Sequence, residues 1–222
     1  MTDFRCGTSF AKANHQKHPH LDRRAVRDYT TISDASLTLQ GVLENGLNGL
    51  EGSPKVKVDN LMTKPTAPVV TLFLYEVLED PSARNRPRSR VPVGPRFQIR
   101  KPNLSLLLRY LVTPWIDNLN APFSDQLIIG RLSQVLYEKA IITKPDLKGA
   151  SLEHPNEALK VTLAPISLED RTRIWNSLQL PYRLSLTFEM RVVNIEPEHF
   201  TEVSPVAQGR FGYGDVVAED EQ

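Results

Sequence analysis

The chain has a single cysteine, Cys6, so no disulfide can form within it, and a reducing compartment is the expected setting. Aromatic residues make up only 7% of the sequence, and the most basic stretch contains just Phe97 for stacking on bases. No apolar run approaches the ~18 residues of a membrane-spanning helix. The opening MTDFRCGTSF has no apolar core of the signal-peptide kind. A cytoplasmic chain with no membrane partner is the expectation. Neither sign of charge dominates, since 27 lysines and arginines stand against 26 acids for a net charge of +1. Nothing global therefore draws the molecule to nucleic acid or to an anionic membrane.

Catalytic patterns are also missing. Nucleophilic catalysis requires a serine, cysteine or lysine placed beside a base. His15, His18 and His20 lie in the polar N-terminal stretch, His154 in a proline-containing loop and His199 near the C-terminus. None accompanies a GxSxG elbow, and there is no Walker A loop, GxGxxG, CxxC or HExxH. His15, His18 and His20 cannot share one helix face, and Pro19 interrupts them, so neither a metal nor a cofactor is expected. Glu153, Glu157, Glu169 and Asp170 read as exposed acids at helix ends and loops. The expectation is a protein that is not an enzyme.

What is present centres on residues 69–112. Two β-prone apolar runs, Val69–Leu78 and Leu104–Val112, are continuous rather than alternating, which predicts strands covered on both faces. Between them lies a loop, Asp80–Pro102, with Pro81, Pro87, Pro92, Pro95 and Pro102. It carries Arg84, Asn85, Arg86, Arg88, Arg90, Arg96, Arg100 and Lys101, with no acid between Arg84 and Lys101. A long loop in a compact domain is usually functional or disordered, and prolines lower the entropy it loses on binding. These eight residues form a candidate docking surface for a protein partner, with Phe211 and Tyr213 near the C-terminus as further contact points. A solvated loop and a nucleic-acid-binding loop are the competing readings, the latter disfavoured by the near-neutral chain.

The remaining elements follow from periodicity and punctuation. Thr31–Leu50 predicts a helix capped by Ser33 or Thr31, with Ile32, Leu37, Leu39, Val42, Leu43, Leu47 and Leu50 on one stripe. Lys55–Val58 predicts a short strand, and Thr113–Asn120 a turn in which Trp115 is a packing anchor. Phe123–Ala140 predicts a second helix burying Leu127, Ile128, Leu132, Val135, Leu136 and Ile141, with close packing at Gly130. Ala158–Leu163 predicts a strand, Ser167 a cap for a short helix carrying Trp175, and Tyr182–Ile195 a half-exposed strand. Residues 1–30 read as a polar extension, 31–197 as the core and 198–222 as an acidic tail. The order predicts a single α+β domain, a mainly antiparallel sheet with flanking helices and extended N- and C-terminal arms.

Several short pieces recur in a familiar order. They are LFLYEV at residues 72–77, Arg84-Asn85, the segment 104–113 ending Tyr110-Leu111-Val112-Thr113 and followed by Trp115, and LIIG at 127–130. Leu147-Lys148-Gly149, IWNSL at 174–178 and YRLSL at 182–186 complete the set. In that order the sequence resembles the cap, or tail-terminator, family of phage-tail-like contractile injection systems of the antifeeding-prophage and virulence-cassette type. The resemblance implies a hexameric ring that closes the top of an inner tube and its surrounding sheath, ending polymerisation and holding the sheath. It implies tube and sheath proteins and further copies of the chain as partners, and a place first in the bacterial cytoplasm and then in the assembled particle. The long N-terminal extension and the arginine density of the central loop depart from the family pattern.

Overall fold

The computed structural model describes residues 28–50, 54–116, 124–153, 158–195, 197 and 200–204. The histidines, Cys6, Phe211 and Tyr213 lie outside them. Helix α1 (Thr31–Leu47) follows a short 3-10 turn, then come strands β1 (Lys55–Val58) and β2 (Val69–Glu79). Strands β3 (Ser89–Val93), β4 (Arg96–Arg100) and β5 (Leu104–Trp115) precede helix α2 (Ser124–Glu138). The two-residue β6 (Ile141–Ile142), β7 (Leu159–Leu163), α3 (Leu168–Ser177), β8 (Leu186–Ile195) and β9 (Phe200–Val203) complete the order. This is the expected α+β arrangement. A six-stranded sheet runs β1-β2-β5-β8-β7-β6, and a separate three-stranded sheet runs β3-β4-β9. Every pairing is antiparallel except β1 with β2.

The large sheet is covered on both faces, unequally. On one face α1 and α2 bury Leu39, Leu43, Leu72, Leu108, Leu132 and Phe188. On the other, α3 brings Trp175 against Trp115, Leu61, Val69 and Leu111. Trp175 meets Trp115 edge-on at 6.0 Å, a geometry the ring quadrupoles favour. Trp115 is the expected anchor: its Nε1 donates to Thr71 Oγ1 at 2.8 Å. At the centre of the first core, the Tyr110 hydroxyl is bonded to Ser36 Oγ at 2.8 Å and the ring stacks on Phe188. Burial pushes that hydroxyl's pKa up to about 12.

Several expectations are corrected. Thr113–Trp115 is strand rather than turn; β8 begins opposite Val112, so Pro114 lies where β5 has a neighbour on one side only, which proline tolerates. Neither Ser33 nor Thr31 caps α1, whose N-cap is Thr30 with no side-chain cap bond. The Asp34 carboxylate, in the first turn of α1, accepts from Ser151 N and Oγ and ties α1 to the 150–152 turn. Leu37, Leu127 and Ile141 are exposed rather than buried. Close helix packing occurs at Gly46, not Gly130: a Cβ on Gly46 would run into both γ-methyls of Val135, whereas one on Gly130 would meet nothing. Ser167 caps α3 as expected, its Oγ accepting from Asp170 N at 3.0 Å.

Candidate assembly interface

The segment expected to be a loop is mostly a β-hairpin. Val93 pairs with Arg96, leaving Gly94 and Pro95 as the two turn residues. Gly94 has φ +59, and proline holds φ near −65°, so only the turn with its positive φ at the first central residue fits. β4 then pairs with β9, four residues that lie in the stretch read as tail. The reason this was hidden is physical: β3 contains a proline, both strands are rich in arginine, and β9 is short and wholly exposed.

The small sheet continues the large one. The β5–β8 ladder ends at Leu104 opposite Ile195, and β4–β9 resumes at Arg100 opposite Phe200. The same two chain segments thus pair antiparallel in both sheets, with 101–103 between β4 and β5, and among the described residues no element of the main body packs extensively on the small sheet. It is an arm projecting from the sheet.

Residues opposite one another share a face. One arm face carries Arg90, Pro92, Phe97, Ile99, Thr201 and Val203, with the Arg90 guanidinium 3.8 Å from the centre of the Phe97 ring. The other carries Arg96 and Arg100: Arg96 Nη1 donates to Glu202 at 3.1 Å, and Arg100 lies over Phe200. Arg84 and Asn85 sit in the turn after β2, where Arg84 pairs with Glu79 at 3.1 Å. Arg86, Arg88 and Lys101 make no ion pair within the described residues and are exposed. The eight predicted residues are therefore strung along one element and its root rather than gathered in a single patch. Phe200, Glu202 and Val203 belong with them and were missed; Phe97 and Ile99 alternate in RFQI, but FTEV carries no such alternation to mark it as a strand.

The root is fixed by a buried acid. Asp80 accepts from Ser82 N at 2.9 Å and Ser82 Oγ at 2.7 Å, and Arg191 Nε lies 3.1 Å from its carboxylate. Burial pushes its pKa up, but the Ser82 hydrogen bonds, the Arg191 charge and Ser105 outweigh that and hold it below the usual carboxylate value. Beside it, Arg109 bridges Glu76 at 2.8 Å and Glu189 at 3.2 Å across β2, β5 and β8. A cleft of about 340 Å³ opens here, lined by Asp80, Arg84, Lys101 and Leu104 among others. Among the described residues no group of three His, Cys, Asp or Glu is placed to hold a metal ion, and no helix is long and apolar enough to cross a membrane.

The family model described as the Pvc16 N-terminal domain matches residues 34–208, a span that includes both sheets and the arm. The chain belongs to that family. The fold of this Pvc16 N-terminal domain is similar to the cryo-EM structure of the PVC sheath/tube terminator of an extracellular contractile injection system in its extended state. The TM-score is 0.60 at 18% identity, over 85% of this chain and 65% of that one. It is similar also to the tube-terminating cap of the anti-feeding prophage, with TM-score 0.58 at 17% identity over 82% of this chain and 61% of that one. This chain thus spans a little under two thirds of the length of either. No curated protein matches the sequence.

Proposed function

We propose that this protein is a structural terminator of a contractile injection particle, closing the end of the inner tube and sheath, ending polymerisation and anchoring the sheath. The observation that carries the reading is membership of the Pvc16 N-terminal domain family, joined to a fold shared with a sheath/tube terminator and a tube-terminating cap. In this reading the chain works as a homo-oligomeric ring, a hexamer, whose partners are the tube and sheath proteins, and it has no catalytic role. It assembles in the bacterial cytoplasm and leaves with the particle.

The arm supplies the contact. Of its cations, Arg90, Arg96 and Arg100 lie on the small sheet, and Arg84, Arg86, Arg88 and Lys101 lie on the exposed segments at its root. A surface of that kind complements acidic groups on a neighbouring subunit, tube or sheath. Replacing Arg84, Arg86, Arg88 and Arg90 together by glutamate is expected to abolish incorporation into particles while leaving the fold intact, because all four are exposed. Incorporation at the wild-type level would remove the arm from the interface. The position of the chain is tested by gold-labelling it in purified particles. Label at one end of each particle is expected, and label along the length, or none, would contradict the terminator reading.

A further inference from the structure

The acids of the arm are already spoken for. Glu79 pairs with Arg84, Glu202 pairs with Arg96, and the buried Asp80 is held by Arg191. Residues 85–95 hold Arg86, Arg88 and Arg90 and no acid. All three arginines are exposed and none is paired with a described acid; Arg90 lies over the Phe97 ring. They run into and along β3, the outer strand of the small sheet. Arg100 and Lys101 are set apart, because Glu196 and Glu198 fall in the neighbouring link between β8 and β9. The β3 edge is thus a row of three uncompensated cations.

Its complement is in the same chain. Residues 211–222, FGYGDVVAEDEQ, contain Asp215, Glu219, Asp220 and Glu221 and no lysine or arginine. Phe211 and Tyr213 precede the acids, and guanidinium planes take aromatic rings, as Arg90 does with Phe97. The chain enters this segment from β9, which is itself part of the arm. Val203 ends β9 opposite Phe97, and Phe97 faces Pro92 of β3 on its other side. Two strand spacings, about 10 Å, therefore separate the exit point from β3, and Ser89 lies roughly 10 Å further along that strand. Residues 204–214 include Gly209, Gly212 and Gly214. A glycine-rich span of that length has a root-mean-square reach of about 18 Å. Reach and distance match, and a matched tether holds its end at an effective concentration in the millimolar range.

We propose that residues 211–221 dock on the β3 edge of their own arm, with their acids against Arg86, Arg88 and Arg90, and cover that edge until an acidic partner replaces them. The tether favours the same chain over a second copy, which reaches millimolar levels only in concentrated solution. The replacement step rests on the assembly role given to the arm above, whereas the docking does not.

The test uses the full chain in a Cys6→Ser background, dilute and without other particle components. Ser89→Cys, at an exposed position in β3, is combined with Ala218→Cys. This pair is expected to oxidise within one chain at least tenfold faster than Tyr137→Cys with Ala218→Cys, Tyr137 being 84% exposed on α2. Salt at 1 M shortens the screening length to about 3 Å and is expected to remove the difference. Replacing Arg86, Arg88 and Arg90 by glutamine is expected to remove it as well, with an unchanged circular dichroism spectrum because all three are exposed. A rate no faster than the control, or one that those glutamines leave unchanged, overturns the proposal. Disulfides formed between two chains also overturn it, since they report a segment exchanged between copies. Covering is read with polyglutamate as the acidic probe. Asp215→Asn, Glu219→Gln, Asp220→Asn and Glu221→Gln together are expected to tighten its binding about tenfold, and unchanged binding overturns the covering. Neither readout involves particles, so failure here leaves the terminator reading standing.

Discussion

Replacing Asp80 by asparagine isolates the one buried charge at the root of the arm. The side chain is 3% exposed and its partners are Ser82, Ser105 and Arg191. Asparagine keeps the shape but removes the charge and turns an amide donor toward groups that already donate. Breaking a fully buried ion pair costs about 3–5 kcal/mol, and losing a hydrogen bond to a charged group about 1.5–3 kcal/mol. Arg191 is 41% exposed, so its stranded guanidinium regains water and the lower range applies. A loss of about 2–3 kcal/mol at ~2–4 °C per kcal/mol lowers the unfolding midpoint by roughly 4–12 °C. The pH dependence has a definite sign. The pKa of Asp80 is depressed in the folded state, so its contribution is full above the unfolded value of about 3.9 and is lost as pH falls through the lower folded value. The gap between wild type and Asp80→Asn is therefore full at neutral pH and closes in the acid range below about pH 4. Thermal unfolding followed by circular dichroism at a series of pH values measures it. A gap absent at neutral pH, or one that stays constant into the acid range, refutes the reasoning.

Two further substitutions test the packing. Gly46→Ala places a methyl group against Val135 where α1 crosses α2, so it is expected to destabilise by about 1–2 kcal/mol despite alanine's better helix propensity. Adding Val135→Ala is expected to restore part of the loss, and equal losses in the single and double variants would contradict the crossing geometry. Trp175→Ala empties the core beneath α3, where Trp175 is fully buried against Trp115, at a cost of about 3–5 kcal/mol seen in chemical denaturation. A cost below about 1 kcal/mol would mean that α3 is not a fixed wall of that core.

The α+β class, the three helices and the strands of the large sheet other than β6 were legible because each is apolar at the spacing its structure demands; Ile141 of β6 was assigned to the second helix. The continuous runs at β2 and β5 predicted strands, and the capping serine at residue 167, the helical Trp175 and the anchoring role of Trp115 were read correctly, although Trp115 ends a strand rather than lying in a turn. Residues were misplaced where apolar character does not mean burial within one chain. Leu37, Leu127 and Ile141 obey the helical stripe yet face outward, and such exceptions are informative where a protein has partners. The arm was misread for a different reason. Arginine and proline argue locally against strand, but Pro92 lies in β3, a strand with β4 on one side only, and the Gly94-Pro95 turn fixes the hairpin. Its third strand comes from residues 200–203, whose partners in β4 lie 100–106 positions earlier, a pairing no local pattern contains. The cationic residues were singled out as a group from composition alone, and their division between two faces and a root follows only from the register.

The terminator role is tested most directly by the length distribution of particles, measured by electron microscopy, from cells in which this gene alone is removed from the cluster that encodes the tube and sheath. Over-long, ragged-ended or unstable tubes and sheaths are expected, restored to uniform length when the gene is supplied in trans. Intact particles of normal, uniform length without this protein would contradict it.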